Sequence, residues 1–212
     1  MKLHAAPGTI SSAIAIVLFE LGVKFETIWV DFKTAEQTGD AYASINPKKR
    51  VPALVLDDGT VLSETGAILE YLAASHPAGL SLMSADPLLA ARVRMVMYYL
   101  ASTMHVNHAH KMRGARWARL EASFEDMRSM VALTMAQSAQ YLEDEIFSKA
   151  PAPGPYVLGD KVSIADAYAY AVCCWLEPDG VDLAPYPALR AFIEAMEGRK
   201  SVQAARDAGF AA

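Results

Sequence analysis

Strand signals end abruptly about a third of the way along this 212-residue chain, and that limits the folds open to it. Up to residue 75 the pattern alternates between strand and helix. Residues 1–5 are short and apolar, Pro7-Gly8 marks a turn, and Ser11 or Ser12 stands where a helix cap is needed before an apolar run at 13–21 that stops at Gly22. Residues 25–32 are rich in β-branched and aromatic side chains and predict a strand. A helical turn near 41–45 is broken by Asn46-Pro47, and two short strand patterns at 53–56 and 60–62 flank the hairpin signal Asp57-Asp58-Gly59. From residue 64 to 74, Ile68, Leu69, Leu72 and Ala73 recur at helical spacing. The predicted order is β-α-β-α-β-β-α, a small mixed α/β domain over 1–75.

Beyond a Pro- and Gly-containing linker at 76–85, the remainder, 86–212, reads as helix alone. Asp86-Pro87 has the cap-then-proline form of a helix start, with the helix expected to run to about Arg113. A second long helix is expected over 124–147. Ser163 and Asp166 have the spacing of a capping box, with Asp in place of the usual Glu, and a last helix is expected over 188–197.

Composition excludes several classes. Hydrophobic residues make up 53% of the chain, enough for a core. A net charge of -5 argues against a nucleic-acid binder, which needs a basic surface to displace counterions from phosphate. The run 13–19 is too short to span a bilayer, so no membrane role is expected. Cys173 and Cys174 are neighbours and cannot close a useful loop, so a reducing, cytoplasmic setting is the expectation.

Several strings, in order and at consistent spacing, carry a resemblance. They are Met1-Lys2-Leu3, Ala6-Pro7-Gly8, Ile45-Asn46-Pro47-Lys48, Val51-Pro52-Ala53-Leu54, Leu56-Asp57-Asp58-Gly59-Thr60, Leu62-Ser63-Glu64-Thr65 with Ile68-Leu69-Glu70-Tyr71-Leu72, and Gly159 with Ser163-Ile164-Ala165-Asp166-Ala167. The chain resembles the cytosolic glutathione transferases, in their bacterial beta-like branch. The resemblance implies a thioredoxin-like domain followed by an all-helical domain, and a symmetric homodimer. It implies glutathione as co-substrate, no metal, and a small electrophilic or hydrophobic second substrate. It further implies a cis Val51-Pro52 peptide whose Val51 backbone pairs with glutathione, while Glu64 and Thr65 hold the γ-glutamyl end. Arg50 is either a partner for the glycine carboxylate of glutathione or a solvated basic tip. Ser163 and Asp166 are implied to be structural.

The catalytic position departs from the family pattern. Beta-like members usually carry a cysteine where this chain has Ile10, and the early tyrosine of animal classes is replaced by His4 and Ala5. Hydroxyls remain: Ser11 best matches serine-type members and is either the donor that stabilises the thiolate or a plain N-cap, with Thr9 as the next candidate. His105 falls where beta-like relatives place a histidine facing the active site. With His108, on the same helical face, it is read as part of a polar, cationic wall for an acidic or oxygenated co-substrate, or as a dimer-interface or surface residue; His110 points elsewhere. Two histidines on one helix are a weak metal signal. Ile10, Tyr98 and Met112 are candidate pocket residues, though Tyr98 and Met112, at helical spacing, more often mark core. Transferase, isomerase and peroxide-reducing chemistry share such a site, and a non-catalytic binder with the same fold is the alternative.

Overall fold

The computed structural model describes residues 1–210. Its first part is a four-stranded mixed sheet in the order β2-β1-β3-β4, built from β1 (Lys2–Ala5), β2 (Glu26–Trp29), β3 (Ala53–Val55) and β4 (Val61–Ser63). β1 and β2 run parallel, with Leu3 opposite Thr27. β3 is antiparallel to β1, with Leu3 opposite Leu54, and β4 is antiparallel to β3, closing the expected hairpin. A parallel β1–β2 pair needs a crossover, and α1 (Ser11–Glu20) supplies it. The short α2 (Asp40–Ala43) and α3 (Thr65–Ser75) complete this half.

α1 explains how the halves join. Ser11 through Leu18 are all buried, with no polar face. A helix apolar all round must be covered on every side. α3 covers it from its own half, and α7 (Ile164–Cys173) and α9 (Lys200–Ala205) cover it from the helical half. At its end Glu20 accepts from the Arg199 guanidinium and from Ser201 Oγ at 2.6 Å, closing the seam.

The helical part opens with α4 (Pro87–Tyr99), whose cap Asp86 accepts from the N–H groups of Leu88 and Leu89 at 2.9 Å. One wide turn, Leu100–Met104, carries it into α5 (His105–Ala109), so the helix ends about four residues before the expected Arg113. α6 (Glu121–Tyr141) continues through a second wide turn to Phe147 and starts three residues earlier than expected. α8 (Pro187–Glu197) matches its expected span closely. The 76–85 segment contains a short helical turn, Pro77–Ser81, and anchors through Gly79 and Leu82. Gly79 is buried, and a Cβ there would sit 2.5 Å from the Ala73 carbonyl oxygen.

Asp166 is fully buried at the start of α7. It accepts from the N–H of Ser163 (2.7 Å), the hydroxyl of Ser163 (2.7 Å) and the N–H of Val157 (2.8 Å). A helix cap and a distant loop are thereby fixed by one carboxyl group.

Candidate functional site

A cleft of about 530 Å³ lies where the sheet's loops meet α5. Its walls come mainly from four places in the sequence, with Phe32, Gln37 and Thr38 of the stretch after β2 adding to them. The first is the turn Gly8–Ile10, which delivers the chain into α1. The second is the loop 46–52, and the third is the start of α3. The fourth is the helical half, through α5, the turn after it, Tyr168 and Trp175.

The first turn overturns one expectation. Ser11 and Ser12 do not cap α1: Ile10 occupies the cap position and no side chain caps the helix. Ser12 Oγ instead donates back to the Thr9 carbonyl at 3.1 Å. Thr9 and Ser11 also differ in place. Thr9 is half-buried and lines the cleft, whereas Ser11 is 0% exposed and does not. Thr9 Oγ1 lies 2.7 Å from the Ala6 carbonyl and 2.9 Å from Ser11 Oγ, and one hydroxyl hydrogen serves one of them at a time. The Ser11 N–H points at Thr9 Oγ1 at 3.4 Å. Ile10 lines the cleft while remaining almost wholly buried.

The loop 46–52 is held from behind. The Arg50 carbonyl accepts from Tyr42 OH at 2.8 Å and from Asn46 Nδ2 at 2.7 Å. Burial, with the nearby Glu36 charge adding to it, pushes the Tyr42 phenol up to about 12, so it stays a donor. The Val51-Pro52 peptide is cis. Among the described residues the N–H and C=O of Val51 make no hydrogen bond, although Ala53, two residues on, already pairs with His4.

Glu64 caps α3 with φ 74° and ψ 121°, a conformation rare for a side chain of this kind and concentrated at functional sites. The buried Thr65 follows it as the first residue of the helix. Lys48 Nζ donates to Glu64 Oε1 at 2.5 Å and to Ser63 Oγ at 2.7 Å, tying the second wall to the third.

On the helical side, His105, His108 and Met112 line the cleft, while Tyr98 does not. Tyr98 is 62% exposed on the outer face of α4. The structure therefore removes it both from the core and from the pocket. His110 packs edge-on against Trp117, outside the cleft lining. Burial, then the neighbouring His108, Arg116 and Arg50, push His105 down to about 4. His105 is therefore a neutral imidazole at pH 7, and any cationic character of this wall comes from other side chains.

His108 is held by Asp179, whose side chain is fully buried. Nδ1 lies 2.6 Å from Oδ2, and Lys111 Nζ is 2.9 Å from Oδ1. Burial pushes the Asp179 carboxyl up, but the bonds from His108 and Lys111 outweigh it and leave its pKa lowered. Asp179 is thus ionised and His108 Nδ1 carries the hydrogen between them. The His108 ring stacks on Trp175 (centroids 4.2 Å apart, planes at 18°), and Trp175 Nε1 donates to the Gly8 carbonyl at 3.2 Å.

Sequence reasoning missed Lys48 as a partner of Glu64, and it missed Tyr168, Trp175 and Asp179 altogether. The Lys48 contact had a local signal in Asn46-Pro47-Lys48; the others come from far along the chain, Asp179 meeting His108 across 71 positions and Trp175 meeting Gly8 across 167. Cys173 is buried and Cys174 half-buried, both free and outside the cleft; burial raises both thiols. Among the described residues no three His, Cys, Asp or Glu side chains converge as a metal site.

Comparison with known proteins agrees with this geometry. The family model described as "Glutathione S-transferase, N-terminal domain" matches residues 1–74, and the corresponding C-terminal domain model matches 110–206. Glutathione S-transferase GstA of Escherichia coli O157:H7 is 31% identical over 209 residues, covering 98% of each chain. A crystal structure of a glutathione transferase homologue from Sulfitobacter, with bound glutathione, is 52% identical and superposes with a TM-score of 0.94 over 99% of this chain and 98% of that one. A bacterial beta class glutathione S-transferase from Sphingomonas chungbukensis, 29% identical, superposes at 0.83 over 99% and 98%. Two family models spanning most of the chain and a full-length relative above 30% identity place the chain in the bacterial glutathione S-transferase family.

Proposed function

We propose that the cleft binds glutathione, ionises its thiol at the Thr9–Ile10 turn, and directs the sulfur at an electrophilic carbon. In this reading the tripeptide pairs with the free N–H and C=O of Val51 as an added strand. Its γ-glutamyl carboxylate lies at the N-terminus of α3 with Thr65, where exposed N–H groups and the dipole favour an anion. Glu64 takes the γ-glutamyl ammonium, and Arg50 faces the glycine carboxylate.

The observation that carries the reading is the order of the two hydroxyls: Thr9 is in the cleft and Ser11 lies buried behind it, at the start of α1. Thr9 is then the side chain that reaches the sulfur. On turning to it, Thr9 releases the Ala6 carbonyl, and its oxygen accepts from the Ser11 hydroxyl, so Ser11 acts through Thr9. The Ile10 N–H, which makes no hydrogen bond among the described residues, adds a second donor. Together with the start of α1 they lower the thiol pKa, as for reactive cysteines. Rate acceleration comes from this shift and from holding the two reactants together.

A homodimer fits the apolar side chains Leu88, Met95 and Tyr98, exposed along one face of α4. Two free cysteines fit a cytoplasmic setting. The test is turnover of a panel of aryl halides, enones and hydroperoxides with glutathione. Glutathione-dependent turnover of at least one supports the enzyme. Tight glutathione binding with none turned over points instead to a binding protein.

A further inference from the structure

The chain carries a net charge of -5, yet its cleft is strongly basic. Six Lys and Arg side chains line it against a single acid, Glu64. The three lysines are engaged: Lys48 with Glu64, Lys49 with the Thr38 carbonyl, and Lys111 with Asp179. The three arginines are not. Among the described residues, the guanidinium groups of Arg50, Arg113 and Arg116 make no hydrogen bond and no ion pair. Arg50 lies in the loop proposed to face glutathione, which leaves a pair with no assignment.

That pair is built into the fold. Arg113 and Arg116 stand at either end of a tight turn directly after α5, with the Arg116 N–H donating to the Arg113 carbonyl at 2.9 Å. Gly114 sets the turn against α6: a Cβ there would lie 2.7 Å from the Phe124 ring. The Arg113 guanidinium lies 5.6 Å from the centre of the Phe32 ring, which comes from the sheet half, so its head is steered across the cleft mouth. Desolvation and the like charges of Arg50 and Arg113 both push the Arg116 pKa down, a sign that these cations crowd one another. Like charges held together with no counter-charge disfavour the empty site and favour an anion between them.

We infer that Arg113 and Arg116 form a carboxylate subsite for the second substrate, so that the acceptor is an electrophile bearing its own carboxylate. The inference rests on the glutathione reading above and names the acceptor class for that site. A guanidinium pair suits a carboxylate because its planar N–H forks match two oxygens. The apolar Met112 and Trp117 flank the turn and would cover the rest of such a molecule.

The test uses benzylideneacetone carrying a para-carboxylate and the methyl ester of the same compound. With either, the glutathione thiolate forms the S–C bond at the β-carbon. The alkene electron pair moves onto the carbonyl as enolate, and solvent returns a proton to the α-carbon. Each kcat/KM is divided by the uncatalysed rate. The wild type should prefer the carboxylate by at least about ten-fold, the worth of one charge-assisted bond. Arg113→Gln/Arg116→Gln should lose most of that preference, chiefly through KM on the carboxylate. The exposed Arg116→Gln alone should lose part of it and guards against a folding defect in the pair.

Equal handling of acid and ester by the wild type overturns the inference. So does a variant that loses affinity for glutathione by the same factor, because the arginines then serve the tripeptide. If neither compound is turned over, the transferase reading is decided separately by the wider panel above. The subsite is then decided by calorimetry of the saturated keto-acid and its ester on glutathione-loaded protein. A preference for the acid that the variant lacks supports the subsite, and no preference overturns it.

Discussion

Trp175 donates its indole N–H to the Gly8 carbonyl across 3.2 Å, joining the end of α7 to the turn that presents Thr9 and Ile10. Behind it the ring is backed by His108, and His108 is anchored on the buried Asp179. The helical half thereby helps fix the turn that we propose holds the glutathione sulfur. Trp175→Phe keeps most of the ring and deletes the donor. It should cost about 0.5–1.5 kcal/mol of stability, the net worth of a neutral hydrogen bond. The thiol pKa of bound glutathione should rise with it, because the turn loses its tether. Denaturant unfolding and a thiolate absorbance titration check the two parts. A stability loss with an untouched thiol pKa would make Trp175 a packing residue only.

The start of α3 should carry much of the affinity for the tripeptide. Glu64→Ala removes a carboxylate that now pairs with Lys48, and Thr65→Val removes a buried hydroxyl. Deleting one charge-assisted hydrogen bond costs roughly 1.5–3 kcal/mol, which is about 10- to 100-fold in Kd. Calorimetric titration with glutathione measures it. Wild-type affinity in Glu64→Ala would remove Glu64 from the glutathione site.

His105 makes stability depend on pH. Its pKa is held at about 4 in the folded protein, against about 6.5 in an unfolded chain. Between those values the unfolded state binds more protons, so stability rises with pH through this window and is lost as pH falls from about 6.5 towards 4. The stability lost between neutral pH and pH below about 4 is on the order of 3 kcal/mol. His4, also lowered by burial, adds in the same direction. His105→Gln should flatten the slope between pH 4.5 and 7 in urea unfolding of the glutathione-free protein. An unchanged slope would place the His105 imidazole in a wetter setting than its packing against Trp175 implies.

What was legible in the sequence follows from range. The element order rested on local signals: the Asp57-Asp58-Gly59 hairpin, the apolar run in α1, and the spacing of Ile68, Leu69 and Leu72. The capping pair Ser163 and Asp166 was legible because both partners lie within one helical turn. Ser11 and Ser12 are cap candidates, and Ser11 equally a thiolate donor, because Ser before an apolar run is the usual cap signature. Here the chain turns into the helix one residue earlier, at Ile10, and the serine is drawn into the core. Tyr98 shares its helix with buried neighbours, and periodicity does not tell which side of an amphipathic helix the fold covers. Trp175 and Asp179 reach the site only through tertiary packing, with Gly8 and Trp175 lying 167 positions apart. No local pattern encodes that distance.

The thiol pKa of bound glutathione in Thr9→Val and Ser11→Ala, followed by thiolate absorbance against pH, tests the central claim most directly. A hydrogen bond to an anion is worth roughly 1.5–3 kcal/mol, so Thr9→Val should raise that pKa by about 1–2 units. Ser11→Ala should raise it by less, because its hydroxyl acts only through Thr9. The rate defect of Thr9→Val should be largest at neutral pH and shrink as the pH rises, since hydroxide then ionises the thiol unaided. A titration unchanged in Thr9→Val, or one moved further by Ser11→Ala than by Thr9→Val, would contradict the assignment of Thr9 as the side chain that holds the sulfur.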